Sequence, residues 1–267
     1  MIRGRGWDLL TDAQARASSK TLDVESSKRA HLVVSLSGAH AYGFPSPDSD
    51  VDLKCVHIAP TERLVGLERD GAAKAASHVE WIDGIEIDYS SNEIGSVLAG
   101  ILDGNGNYLE RIVGAATMAS DPPLASLQPI ATACASKRYH RHYRGFAHSQ
   151  RVAFDEKPTA KRALYVLRTT LTGSHLLRTA RLVVDVRELL DIYGFGDARE
   201  LIAAKTRGEQ SALEPALAAS WRSRIEHAFD VIDDAHRTSV LPDEPSREVT
   251  RDLEAWLLHL RRDRWTT

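Results

Sequence analysis

The stretch Ser37-Gly38-Ala39-His40-Ala41-Tyr42-Gly43-Phe44-Pro45-Ser46-Pro47-Asp48-Ser49-Asp50-Val51-Asp52-Leu53 decides how the chain is read. It is preceded by His31-Leu32-Val33-Val34-Ser35-Leu36, an apolar, β-branched run that reads as a buried strand. Gly38, Gly43, Pro45 and Pro47 then punctuate a loop. A second strand follows over Val51–Ile58 and opens on Asp-x-Asp. Strand side chains alternate, so Asp50 and Asp52 share a face with Lys54 close behind, while Val51, Leu53 and Cys55 point the other way. Two carboxylates that close repel unless a cation neutralises them, and a pair of Mg²⁺ ions bridging phosphates is the chemistry that uses such a pair. Gly38 lacks the Cβ that would keep backbone N–H groups from a triphosphate.

Outward from this core, Ser77–Tyr89 reads as two strands joined by an Asp83-Gly84 turn. Its second strand sets Glu86 and Asp88 on one face and Ile85 and Ile87 on the other. A third carboxylate is expected from there. Asp88 is favoured over Glu86 because it is read at the strand end, where a sheet opens onto a site. A helix precedes the first strand over about residues 7–30, and another begins near Ser91. Gly104-Asn105-Gly106-Asn107 breaks that helix, with Asn side chains suited to cap the next one.

From Asp121-Pro122-Pro123 onward strand signals disappear. Helices are expected over 125–135, 137–154, 158–175, 180–192, 197–205, 213–236 and 244–262, with Pro158 and Pro215 in first turns. The expected fold class is α+β, with a catalytic domain over residues 1–120 and an all-helical domain over 121–267.

Composition fits this picture: 267 residues, 43% apolar, 27% charged and a net charge of −3, without a whole-protein pull toward polyanions. Cys55 and Cys134 give neither a disulfide framework nor a zinc pattern, and no apolar run approaches membrane-spanning length. A cytoplasmic chain, with no membrane partner, is expected.

Residues 137–187 carry twelve Lys and Arg, among them Arg138, Arg141, Arg144 and Arg178, against only Asp155, Glu156 and Asp185. Such a segment reads either as an RNA-binding surface or as a solvated helix face balanced by acids elsewhere, such as Asp230–Asp234. Lys161, Tyr165 and Arg168 share one helical face at i, i+4, i+7. The cations there suit phosphates, and Tyr165 suits either a base or the core.

Gly38 through Leu53 resembles the DNA polymerase β-like nucleotidyltransferases, with their Gly-Ser, loop, Ser-Asp-x-Asp pattern. In detail it is similar to the RlaP type associated with RNA repair. Gly104-Asn105-Gly106-Asn107-Tyr108-Leu109-Glu110 and Tyr165-Val166-Leu167-Arg168 resemble further segments of that group, so the resemblance covers roughly residues 30–190. It implies a mixed sheet with flanking helices, an NTP substrate, Mg²⁺, and Asp50, Asp52 and Asp88 as metal ligands. Two positions depart from the pattern. Ala39 stands where the family has a phosphate-touching serine, leaving that contact to Ser37 or His40, and Gly106 replaces a proline. The expected activity is transfer of a nucleoside monophosphate to an acceptor hydroxyl, most naturally an RNA end. The alternatives are a protein or small-molecule acceptor, or a non-catalytic nucleotide or RNA binder on the same fold. Oligomeric state is not encoded in any motif.

Overall fold

The computed structural model describes residues 1–65, 74–206 and 212–265. In chain order the elements are β1 (Ile2–Arg3), α1 (Asp12–Lys28), β2 (Ala30–Leu36), α2 (Gly38–Tyr42), β3 (Val51–Ile58), α3 (Thr61–Val65), β4 (Ala76–Ile82), β5 (Ile85–Glu93), α4 (Ile94–Leu102), α5 (Gly106–Val113), β6 (Thr117–Ser120), α6 (Leu124–Ala133), α7 (Tyr139–Glu156), α8 (Ala160–Thr179), α9 (Arg199–Thr206), α10 (Pro215–Arg237) and α11 (Arg247–Asp263). This is the expected α+β class: a mixed six-stranded sheet with helices, then a helical region.

The chain divides into two compact units that interleave in sequence. One comprises Met1–Ala41, Asp50–Cys134 and Pro245–Thr267; the other comprises Tyr42–Ser49 and Ala135–Glu244. A single cut near residue 120 therefore does not describe the compact units. The reason is packing. The C-terminal helix α11 belongs with the sheet, where Arg261 pairs with Glu93 at 2.5 Å, Thr61 Oγ1 donates to the Arg261 carbonyl, and Arg264 pairs with Asp121. The loop Tyr42–Ser49 belongs instead with the helices.

In the first unit the sheet order is β1-β6-β2-β3-β5-β4. β3 and β5 run parallel and the other neighbours antiparallel. β2 is buried along nearly its whole length, as its unbroken apolar run requires. The β4–β5 turn places Asp83 at φ 52° and Gly84 at φ 79°, the double positive φ of a type I′ hairpin. α1 starts on a capping box in which Thr11 and Gln14 bond reciprocally. It covers the sheet face carrying Ile87 and Tyr89: Thr21 donates to Glu80, and Arg29 and His31 reach the Tyr89 hydroxyl. α5 lies on the opposite face, where Arg111 donates to Asn92. Asn105 caps α5 by accepting from the Tyr108 N–H, as its sequence suggests.

In the second unit α7, α8 and α10 pack around a core that includes Tyr139, Tyr143, Leu167, Leu171, Trp221 and Ile225. α8 is central: Thr170 and Ser174 are fully buried and bond back to their own helix carbonyls. Gly173 allows the close approach, because a Cβ there would lie 2.6 Å from Tyr143 Cβ and 2.9 Å from Ile232 Cδ1.

Several local expectations change. Residues 38–42 form a helical turn rather than open loop, and β5 continues to Glu93 before α4 begins. β1 and β6 escape sequence reading, being two and four residues long with no apolar alternation. Residues 180–192 are not a helix. α8 ends at Ala180, in the left-handed region at φ 56°, and only Val186–Glu188 makes a 3₁₀ turn. Pro158 precedes the Thr159 cap rather than sitting inside α8, whereas Pro215 does occupy the first turn of α10. Among the described residues no helix is long and apolar enough to cross a membrane. Both cysteines are free and buried.

Candidate active site

Within the first unit, Asp52 and Asp88 stand directly opposite each other on the parallel strands β3 and β5. Strand alternation puts both on the face away from α1, together with Lys54 and Ser90. The Asp52 carboxyl is 16% exposed and that of Asp88 33%, so the pair is sheltered but reachable. The Lys54 ammonium sits between them, 2.7 Å from Asp88 Oδ2 and 3.4 Å from Asp52 Oδ1. Burial pushes the Asp52 carboxyl up to about 6; Lys54 opposes this, while Asp50 and Asp88 add to it through like-charge repulsion. Asp50 lies just before β3, half-buried, and is near enough to be felt at Asp52.

Asp88 lies in the middle of β5, not at its end as the sequence suggests; what distinguishes it from Glu86 is register. On β4 the two face Val79 and Trp81 alike, but only Asp88 falls within the stretch paired with β3, which begins at Val51 and Ile87. Gly38 is at φ 63°, and a Cβ there would fall 1.8 Å from Asp52 Oδ2. The Ser37 N–H donates to the Asp52 carbonyl at 2.9 Å. Ser37 is half-buried, and Ala39 and His40 are buried at the start of α2.

Among the described residues no three His, Cys, Asp or Glu side chains are gathered as a metal cluster. The donor chemistry still suits a hard divalent cation: Asp50, Asp52 and Asp88 offer only carboxylate oxygens, and their negative charge already holds the Lys54 ammonium between two of them. The sequence reading gives Lys54 no role beyond its strand. The signal is nevertheless present, since Asp50, Asp52 and Lys54 alternate on one face.

In the second unit, the loop Tyr42–Ser49 is held by side chains from the helices. The Arg168 guanidinium lies 3.6 Å from the Tyr42 ring centroid and is 2% exposed. Tyr165 packs edge-on against both Tyr42 and Phe44. Gly43, at φ 89°, leaves room for the Asp185–Arg187 ion pair, whose Asp185 Oδ1 would be 2.1 Å from a Cβ. Lys205, fully buried, donates to the Ser46 and Ser49 hydroxyls at 3.0 and 3.1 Å, and these hydroxyls bond each other at 2.9 Å. Ser49 and Arg168 are thus engaged inside the protein rather than presented to a phosphate. Lys161 and Tyr165 are half-buried. Lys205 escapes sequence reading, because nothing local in Ile202-Ala203-Ala204-Lys205 marks it.

Six of the twelve cations of the basic segment pair with carboxylates of their own unit. Lys137 pairs with Asp243, Arg138 with Glu244, Arg144 with Asp233, Arg151 with Glu226, Arg178 with Asp234 and Arg187 with Asp185. Of the two readings of this segment, the balanced helix face describes these contacts. Most of the acids come from α10 and the residues after it, so the sequence window 137–187 overstates the local charge.

The chain matches the family described as "RlaP: RNA repair pathway DNA polymerase beta family" over residues 16–259. It is 25% identical over 225 residues to the Uncharacterized protein MJ0002 of Methanocaldococcus jannaschii, covering 80% of this chain and 88% of that one. A nucleotidyltransferase-like protein from Exiguobacterium sibiricum aligns over 93% of this chain and 79% of its own at 10% identity and a TM-score of 0.33, a likeness too slight to argue from. With the family match spanning nearly the whole chain, this protein belongs to the RlaP family, the RNA repair pathway DNA polymerase β family.

Proposed function

We propose that the chain is a Mg²⁺-dependent nucleotidyltransferase that moves a nucleoside monophosphate from an NTP to an acceptor hydroxyl, with an RNA end as the acceptor. The observation that carries this reading is the in-register pairing of Asp52 with Asp88 beside Asp50, with Lys54 drawn between them. Family membership supports it independently. Asp50, Asp52 and Asp88 would hold the metal, which when bound neutralises triphosphate and leaving-group charge. Asp88, the more accessible of the strand pair, accepts the proton of the acceptor hydroxyl. The acceptor oxygen forms a bond to the α-phosphorus, the bond from that phosphorus to the β-bridging oxygen breaks, and pyrophosphate leaves with the electron pair. Gly38, having no Cβ, leaves the Asp52 carboxylate the space it occupies. Ser37 and His40, in the same unit as these carboxylates, are assigned to the nucleotide.

The test is incubation with Mg²⁺ and each α-labelled NTP, with and without RNA, for wild type and Asp52→Asn. Label on RNA in the wild type alone is the expected result. Label on the protein or on a small molecule reassigns the acceptor. NTP binding without any transfer identifies a binder, the reading favoured by Ala39 in place of the family serine.

A further inference from the structure

β4 is the outer strand of the sheet, next to β5. Val79 is directly opposite Asp88, and Trp81 directly opposite Glu86. Opposed residues share a sheet face, so Trp81 and Val79 lie on the face that carries Asp52, Asp88 and Lys54. The neighbouring β4 residues point the other way: Glu80 bonds Thr21 of α1, and His78 packs against Tyr89. Trp81 is 68% exposed and Val79 57%. An indole left to water on an edge strand has no folding role that requires it. As the diagonal neighbour of Asp88, it stands roughly 7–8 Å away, backbone to backbone.

From this juxtaposition we propose that Trp81, with Val79 beneath it, is the stacking platform for an unpaired base near the end of a single-stranded RNA acceptor. The proposal rests on the reading of Asp52 and Asp88 as the catalytic pair. β4 is the edge of the sheet beside Asp88, so on the proposed path a strand whose terminal hydroxyl lies at Asp88 crosses β4 over Trp81. A base is neutral and flat, so it covers the indole while Glu86 and Asp88 stay hydrated. A second copy on the same patch would set Glu86 and Asp88 against their own equivalents, whereas the phosphates of a single strand ending at Asp88 would meet these carboxylates with the Mg²⁺ of the proposed site between them. Because stacking accepts any base, the subsite gives affinity and orientation without sequence selection.

The experiment measures affinity for a short single-stranded oligoribonucleotide in Mg²⁺ without NTP, so that no transfer occurs. It compares wild type, Trp81→Ala and Trp81→Phe, with Mg²⁺–NTP affinity and sedimentation measured in parallel. Trp81→Ala should weaken oligonucleotide binding about 5- to 150-fold. Trp81→Phe should retain most of the affinity, and NTP binding should be equal in all three. An oligonucleotide whose terminal nucleotides are abasic should bind wild type and Trp81→Ala alike. Equal affinity of Trp81→Ala and wild type for the intact oligonucleotide overturns the proposal. So does a wild type that binds NTP but no oligonucleotide, or a wild-type dimer that Trp81→Ala dissociates. A wild type that binds neither ligand overturns the nucleotidyltransferase reading itself, and the subsite with it.

Discussion

The Asp52 carboxylate fills the space that a side chain on Gly38 would need: a Cβ there would lie 1.8 Å from Asp52 Oδ2, and the Gly38 backbone is at φ 63°. The glycine that opens the motif and the second aspartate that closes it therefore constrain each other before any ligand is considered.

Gly38→Ala should accordingly harm the site more than the fold. The left-handed backbone costs an alanine about 1–2 kcal/mol, and the clash falls on a side chain that can swing away. The midpoint of urea unfolding should drop modestly, while Mg²⁺-dependent nucleotide binding and transfer fall by orders of magnitude. A variant with intact transfer would show that Asp52 need not occupy its observed rotamer.

Asp52→Asn should abolish transfer yet stabilise the metal-free protein. Folding raises the Asp52 pKa from 3.8 to about 6, so the folded state binds more protons between those values. Its stability contribution is present below about pH 4 and is lost as pH rises through about 6. At pH 7 the neutral amide should recover up to about 3 kcal/mol. Denaturant unfolding in EDTA at pH 7 measures this, and a destabilised variant would contradict it.

His31 should act in the opposite direction. Burial, with Arg29 and His57 nearby, lowers its pKa from 6.5 to about 4, and its ring is held by Tyr89 and Ser26. The unfolded chain binds the extra proton, so stability is lost as pH falls from about 6.5 to 4, by about 3 kcal/mol. In the wild type this slope is offset by that of Asp52. In Asp52→Asn it should appear unmasked, as a steeper acid destabilisation between pH 6.5 and 4 in the same unfolding assay.

Lys205→Ala should be costly for the helical unit. It leaves a void in a fully buried place and removes the donor to Ser46 and Ser49, destabilising by about 2–4 kcal/mol. Lys205→Met fills the volume and leaves the two hydroxyls their mutual bond, so its effect should be less than half as large. Thermal unfolding of both variants, read beside NTP affinity, separates support of the loop from bulk packing.

Charge removal in the basic segment should have small and separable effects. Arg144→Ala gives up its pairing with Asp233, a partly exposed ion pair worth under about 1 kcal/mol. Arg141→Glu, at an exposed position, should leave stability unchanged. If α7 nonetheless meets RNA, Arg141→Glu will lower the slope of log affinity against log salt by roughly 0.7 for each single-strand phosphate that the helix no longer neutralises. An unchanged slope assigns RNA binding to another surface.

Sequence alone determined the features that rest on neighbours in the chain. The buried run of β2, the alternation that puts Asp52 and Lys54 on one face, the Asp83-Gly84 hairpin and the Pro215 helix start are all local consequences of side-chain type and backbone preference. The motif from Gly38 to Leu53 was legible for the same reason, because its glycine and aspartates act at fixed short separations. Tertiary structure decided what depends on partners distant in sequence. Only strand register sets Asp88 rather than Glu86 against Asp52, and the same register brings Trp81 onto that face. Lys205 reaches Ser46 and Ser49 across more than 150 residues of chain. The acids that quiet the basic segment arrive from α10 and beyond, outside the window in which its charge is counted. α11 joins the sheet through Arg261 and Glu93. Local pattern carries information only over one or two turns or strands, whereas burial, register and ion pairing are chosen by the packed chain as a whole.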